Sequence, residues 1–303
     1  MNTNAMLTIG VSSRALFNLE EANNIFEKEG VQAFREYQFK HEDVLLEKGT
    51  AYKLIKNLLH LNTLVDSPVV EVVVMSRNSS ETGIRALNSI KAYGLSIERF
   101  AFTGGASLQN YISAFDVDLF LSKDADDIQK MCDADLCAAA HICTPPIENT
   151  ENTEDVRIAF DADAVLFSEE SEHRYKTEGL ASFQKHESDH EHVELEDGPF
   201  ANFLRKLSSI QQLLPCTASE TPLRIAIVTA RSAPAHLRVI KTLRKWNVHI
   251  DECFFIGGRN KAAVLSAFRA DIFFDDQELH LEHTSKVVPS GKVPYKTNSK
   301  LNN

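Results

Sequence analysis

The residues best suited to chemistry stand directly after apolar runs. Asp161 and Asp163 follow RIAF, Thr229 closes LRIAIV, Asp275 and Asp276 follow IFF, and Lys261 opens the segment leading to that last run. Four carboxylates, a hydroxyl and an ammonium from four separate stretches suit a phosphate group and a magnesium ion together. A hard cation takes a few carboxylate oxygens and leaves positions open for water and a phosphate oxygen. One carboxylate attacks phosphorus in line while metal and lysine offset charge on the equatorial oxygens. A second acid two residues on can protonate the leaving oxygen and later take a proton from water. Asp161 and Asp163 have the spacing for those two tasks. Each element also has a plainer reading, since Asp after a strand is a common turn residue or helix cap and most helix lysines face water. Adjacent acids such as Asp275-Asp276 repel one another unless a cation is near, and the order of all four segments favours chemistry.

The elements that must position these residues occur twice. Ser76 to Ser122 aligns without a gap on Thr229 to Asp275 at a constant offset of 153 residues, with 11 identities in 47 positions. These include Ser79 with Ser232, Arg85 with Arg238, Phe102-x-Gly104-Gly105 with Phe255-x-Gly257-Gly258, and Ser113-Ala114-Phe115 with Ser266-Ala267-Phe268. Each copy runs from an apolar strand through an amphipathic helix to a strand ending in Gly-Gly, then a further helix and a last strand. A first strand precedes each, in LTIGVSSRALF and RIAFDADAVLF. Strands alternating with helices predict a parallel sheet with right-handed crossovers, whose ligands sit at the strands' carboxyl ends.

The expected organisation is an α/β domain over 1–145, a catalytic domain over 154–283, and an extended tail over 284–303. The boundary falls in TPPIENTENT, from about 144 to 153, and an insert at about 168–221 is expected to cap the second site. Within that insert, HESDHEH holds His186, His190 and His192. His186 and His190 would share a helix face for zinc, but the surrounding acids fit a hydrated helix equally well.

Composition narrows the class. At 43% hydrophobic and 25% charged, the 303 residues are those of a globular protein, with apolar runs far shorter than a membrane span. The N-terminal residues do not read as a secretory signal, and a cytoplasmic location is expected. A net charge of -11 argues against a grip on long nucleic acid by counterion release, while a small phosphorylated ligand needs only local positive charge. The five cysteines are scattered and expected to be reduced and structural. The absence of a G-x-x-x-x-G-K-[ST] loop argues against a kinase or nucleotide triphosphatase.

The segments DADAV, IVTAR, GGRNK and IFFDD resemble the four motifs of the haloacid dehalogenase superfamily of aspartate-nucleophile phosphatases. The chain is more closely similar to the cytosolic type-I 5′-nucleotidases, in RIAFDADAVLFSEESE, GLASFQKHE, GPFANFL, IVTARSAPAHLRVIKTL and ADIFFDDQ, and in SRNSSETGIRALNSIKAYGL of the first half. The resemblance implies a Rossmannoid parallel sheet, in two tandem related domains with a helical cap in the second. It also implies magnesium-dependent hydrolysis of nucleoside 5′-monophosphates by a homo-oligomer. By motif, Asp161 is the nucleophile, Asp163 the acid/base and a metal ligand through its carbonyl, Thr229 and Lys261 the phosphate holders, and Asp275 and Asp276 the metal acids. Ala162 stands where the motif has Gly, a small residue for a small residue. Substrate choice is expected from the cap and the residues after Thr229: Phe183 stacking on a base, and Lys185, Arg231 or Ser232 holding phosphate or ribose. Rival readings are a sugar phosphatase using the same machinery and a nucleotide-binding regulatory protein with a vestigial site.

The first copy lacks the chemistry. Its strand is expected to place Val11 and Ser13 opposite Asp161 and Asp163, with Leu108 opposite Lys261 and Ser122-Lys123 opposite the acidic pair. A silent copy serving packing, oligomerisation or a regulatory nucleotide follows, with Arg77, Asn78 and Thr103 to Gly105 the place to seek a ligand.

Overall fold

The computed structural model describes residues 6–143, 153–215 and 221–302. Apart from Thr153, the expected boundary segment lies outside these residues, as does Cys216. Short runs of Val, Ile, Leu, Phe and Ala form the strands β1 (Leu7–Val11), β2 (Val70–Ser76), β3 (Arg99–Phe102), β4 (Leu119–Ser122) and β5 (Ala138–Ile142) in the first half. The second half supplies β6 (Val156–Phe160), β7 (Leu223–Thr229), β8 (Glu252–Phe255), β9 (Ile272–Asp275) and β10 (Ser290–Lys292). Together they make one ten-stranded sheet in the order β8-β7-β6-β9-β10-β5-β4-β1-β2-β3. All neighbours are parallel except β10 and β5. The central strands are covered on both faces, which is why they read as continuous apolar runs rather than alternating ones.

The order exposes the repeat, because β6 to β10 occupy the same relative places as β1 to β5. The equivalent strands β5 and β10 meet antiparallel, pairing Ile142 with Gly291 and His141 with Lys292. The two halves therefore point their strands in opposite directions, and their carboxyl-end clefts open at opposite edges of the sheet. The described part of the expected tail over 284–303 supplies β10 and the segment after it: Gln129 donates to the Tyr295 carbonyl at 2.9 Å, and the Thr297 amide donates to Asp133 at 2.7 Å.

Register corrects the alignment of the first strands. Leu7 N–H donates to Val69 and Val156 N–H to Pro222, both at 2.8 Å; Ser12 N–H donates to Leu121 at 2.9 Å and Asp161 N–H to Phe274 at 2.8 Å. Ser12, not Val11, thus stands opposite Asp161, and Arg14, not Ser13, opposite Asp163. The five residues of β1 are all buried, so apolar pattern alone leaves a one-residue slip undetected.

The repeat also includes the cap. Helix α1 (Glu20–Lys40) breaks at Gly30 with φ 85°, and its counterpart α3 (Glu170–Asp189) breaks at Gly179 with φ 81°, a conformation that costs glycine least. Phe26 meets Phe34 edge-on at 5.8 Å, as Tyr175 meets Phe183 at 6.2 Å. Tyr37 and His41 stack at 4.1 Å, as do His186 and His190. Among the described residues of the expected cap insert, α3 reaches the second cleft, through Glu187. Helix α4 (Ala201–Gln211), like α2 (Tyr52–His60) in the first half, turns an apolar face into the core. Its Phe203, with Phe200, packs on Phe160 and Phe274, the residues immediately before Asp161 and Asp275. Phe160 and Phe274 themselves lie 5.6 Å apart, and truncating either to Ala would cost about 3–5 kcal/mol.

Among the described residues no helix is long and apolar enough to cross a membrane. The four described cysteines are unpaired, and burial pushes the thiols of Cys132 to about 11 and Cys137 to about 12, so neither is a ready nucleophile.

Candidate active site

The carboxyl ends of β6, β7 and β9 bring the predicted residues together. Lys261, at the start of the helix Ala262–Phe268, is buried with its ammonium 2.8 Å from Asp161 Oδ2 and 2.7 Å from Asp275 Oδ2. Asp161 Oδ1 accepts from the Ala162 amide at 2.7 Å, fixing the carboxylate's orientation. Two residues further, Ala164 takes φ 58° and ψ 3°, a left-handed turn that costs a residue with a Cβ about 1 kcal/mol. Thr229 is buried, and its Oγ1 accepts from the Arg231 amide at 3.2 Å, leaving the hydroxyl hydrogen to donate.

Electrostatics divide the acids. Burial, opposed by Lys261, pushes Asp161 up to about 7. Burial also raises Asp276 well above the usual carboxylate range, with Asp275 and Asp161 adding to it. For Asp275 burial acts the same way, but Lys261 and His280 outweigh it and hold the group low. Lys261 is itself held charged against burial by Asp161 and Asp275.

One oxygen of Asp276 accepts from the Tyr295 hydroxyl, while Oδ1 is buried without a partner. His280 Nδ1 lies 3.1 Å from Asp275 Oδ2. Asp161, Asp275 and His280 offer ligand atoms within 4.8 Å of one another, the one such group of three among the described residues. A buried oxygen-rich cluster short of positive charge, with an open carboxylate oxygen, fits a hard divalent cation. The histidines of HESDHEH do not gather into such a group: His190 Nδ1 is bound to the His186 carbonyl at 2.9 Å, and His192 is exposed beside Glu191 and Lys241.

Asp163 is held differently. Its two oxygens take a bidentate pair from Arg231, at 2.8 Å to Nε and 2.6 Å to Nη2. Arg231 also pairs with Glu187 on α3, and Glu187 receives Arg238 at 2.9 Å and the Ser171 hydroxyl at 3.1 Å. Burial works against the Glu187 charge, yet Arg231 and Arg238 hold it below its ordinary value. Arg231, expected to grip substrate, is therefore committed to fastening the cap to Asp163. Phe183 is buried with the same guanidinium 5.3 Å from its ring centre. Ser232 flanks the Gly257 turn, and Lys185 lies exposed on the cap.

The sequence reading missed His280, Tyr295 and Glu187. His280 follows the acidic pair within about one helical turn, a usable signal; Glu187 lies in the strings GLASFQKHE and HESDHEH but reads there only as an acid beside the histidines, and Tyr295 comes from a distant segment and carries no signal.

The 5′-nucleotidase family model matches residues 1–300. The chain belongs to the 5′-nucleotidase family. It is 35% identical over 290 residues to human cytosolic 5′-nucleotidase 1B, covering 93% of this chain and 47% of that protein. It thus spans about half the length of this curated 5′-nucleotidase relative. A chain of the solved Pnkp1/Rnl/Hen1 complex aligns over 98% of this chain and 99% of its own at a TM-score of 0.33 and 11% identity.

Proposed function

We propose that this chain hydrolyses nucleoside 5′-monophosphates to nucleoside and inorganic phosphate, with Asp161 as nucleophile. The observation that carries the reading is the buried Lys261 bridging Asp161 and Asp275, with the open oxygen of Asp276 beside them, in a member of the 5′-nucleotidase family. An Asp161 oxygen attacks phosphorus, the bond to the ester oxygen breaks, and the leaving oxygen takes a proton from Asp163. Water then attacks the phosphoaspartate at phosphorus, giving its proton to Asp163 and returning Asp161 as a carboxylate. Thr229 and Lys261 hold the equatorial oxygens.

For Asp163 to reach the leaving oxygen it must let go of Arg231, which engages both of its carboxylate oxygens. Asp161, Asp275 and Asp276 would hold Mg²⁺, with Asp163 contributing through its carbonyl. When bound, the ion supplies positive charge that favours the ionised nucleophile and offsets charge on the transferring group. The cytosolic location in the human relative's name is carried to this chain as part of the same reading.

Phosphate release measured across nucleoside and sugar monophosphates, with Mg²⁺ and with excess EDTA, tests the reading. Metal-dependent release that is fastest on nucleoside monophosphates supports it. Equal or faster release from sugar phosphates overturns the substrate class, and full activity in EDTA overturns the metal.

A further inference from the structure

The first half keeps a cavity of about 480 Å³ where the second half has its acids. Ser12, Ser76 and Ser122 stand at its strand ends in place of Asp161, Thr229 and Asp275, and Ser13 Oγ lies 3.1 Å from Ser76 Oγ. Arg14 replaces Asp163, and Leu108 replaces Lys261. With Lys123 at the place of Asp276, each of the four carboxylates is exchanged for a hydroxyl or a cation, and the acids that do line the cavity are paired, Asp124 and Asp127 with Arg77 and Glu81 with Arg35.

Three buried polar atoms on cavity-lining residues have no hydrogen-bond partner: Arg14 Nε, Arg77 Nε and Gln38 Oε1. Gln38 is only 3% exposed. It occupies the place of Glu187, whose partner Arg231 is here Asn78. Arg85 repeats the other contact of Arg238, donating to Val44 at 2.8 Å as Arg238 does to Val193 at 2.9 Å. The amide oxygen is therefore left without a partner on a residue that lines the cavity, an arrangement that a ligand N–H or O–H would complete. Arg14 pairs with Glu20 at 3.4 Å, and Arg77 is held by Asp127 and Asp124, so both guanidinium groups are oriented while Nε remains to donate. The cap side adds an apolar wall of Leu19, Phe26, Val31 and Phe34.

We propose that this cavity binds a nucleoside monophosphate without metal and without turnover: phosphate on the serines and Arg14, a sugar or base donor on Gln38, and the base against the cap aromatics. The assignment stands whether or not Asp161 is the nucleophile.

Calorimetric titration of the full chain with AMP in EDTA tests it, with adenosine and inorganic phosphate as the separated halves of the probe. Saturable AMP binding is expected, weakened tenfold or more in Arg14→Ala and Gln38→Leu and retained in Thr229→Val. Ser76→Ala, a milder change, should weaken it measurably, with thermal melting confirming that each variant is folded. No saturable binding to millimolar AMP overturns the proposal. So does binding lost in Thr229→Val and intact in Gln38→Leu, which assigns it to the other half. Adenosine binding as tightly as AMP overturns the phosphate assignment.

Discussion

The two halves share a sheet order, a broken cap helix and a Gly-Gly turn, yet they differ at the one loop where chemistry would start. After β6, Asp161 leads into a turn with Ala164 in the left-handed region and two carboxylates opposed by buried cations. After β1, Ser12 caps an ordinary helical turn, its hydroxyl accepting from the Ala15 amide at 3.2 Å. The framework is the same; at these two loops, the left-handed residue and the buried charges are on the side with the acids. Holding these groups costs stability at this loop, and the turn after β1 shows the same position without that cost.

The sharpest break in this comparison is Asp161→Asn, expected to reduce phosphate release roughly 10⁴-fold or more while AMP binding in EDTA survives. Substantial residual turnover would end the covalent route. Asp163→Asn should slow release by about 10² to 10⁴ if proton transfer is its task, and an unchanged rate removes that role.

Next comes stability. Lys261→Met strands two buried carboxylates and should lower unfolding free energy by about 3–5 kcal/mol in urea titration. The reciprocal Leu108→Lys buries an ammonium among serines and arginines and is expected to destabilise as well. A neutral Leu108→Lys would mean the first cavity carries uncompensated negative charge, contrary to an anion site.

The smallest effect separates the loops themselves. Ala164→Gly should leave stability within about 1 kcal/mol, relief at positive φ offsetting a freer unfolded chain. Ala15→Gly, in a helical turn, should cost roughly 1 kcal/mol. Equal costs by thermal melting would show that the two turns do not differ in strain.

The α/β class and the strand-end acids were legible because parallel strands buried on both faces leave continuous apolar runs, and the polar residues ending them stand out. What the runs could not carry was register: the five residues of β1 are all buried, and its hydrogen bonds distinguish Ser12 from Val11 as the partner of Asp161. Nor could they show how charges are consumed. Arg231 reads as a phosphate grip until Asp163 and Glu187, 68 and 44 residues away in sequence, close on it. Tyr295 was hidden for a related reason: the turns around Pro289, Gly291 and Pro294 resemble a loose end, whereas Ser290–Lys292 pair on both sides within the sheet.

That short strand has a consequence for descent as well as shape. Equivalent strands meeting antiparallel across a twofold is the contact of an isologous dimer. A half-length chain pairing with its own copy in this way would close the same ten-stranded sheet with two identical clefts, each constrained to do whatever the other does. Joining the copies in one polypeptide removes that constraint, and a second cleft can then change its occupant without costing the first its reaction.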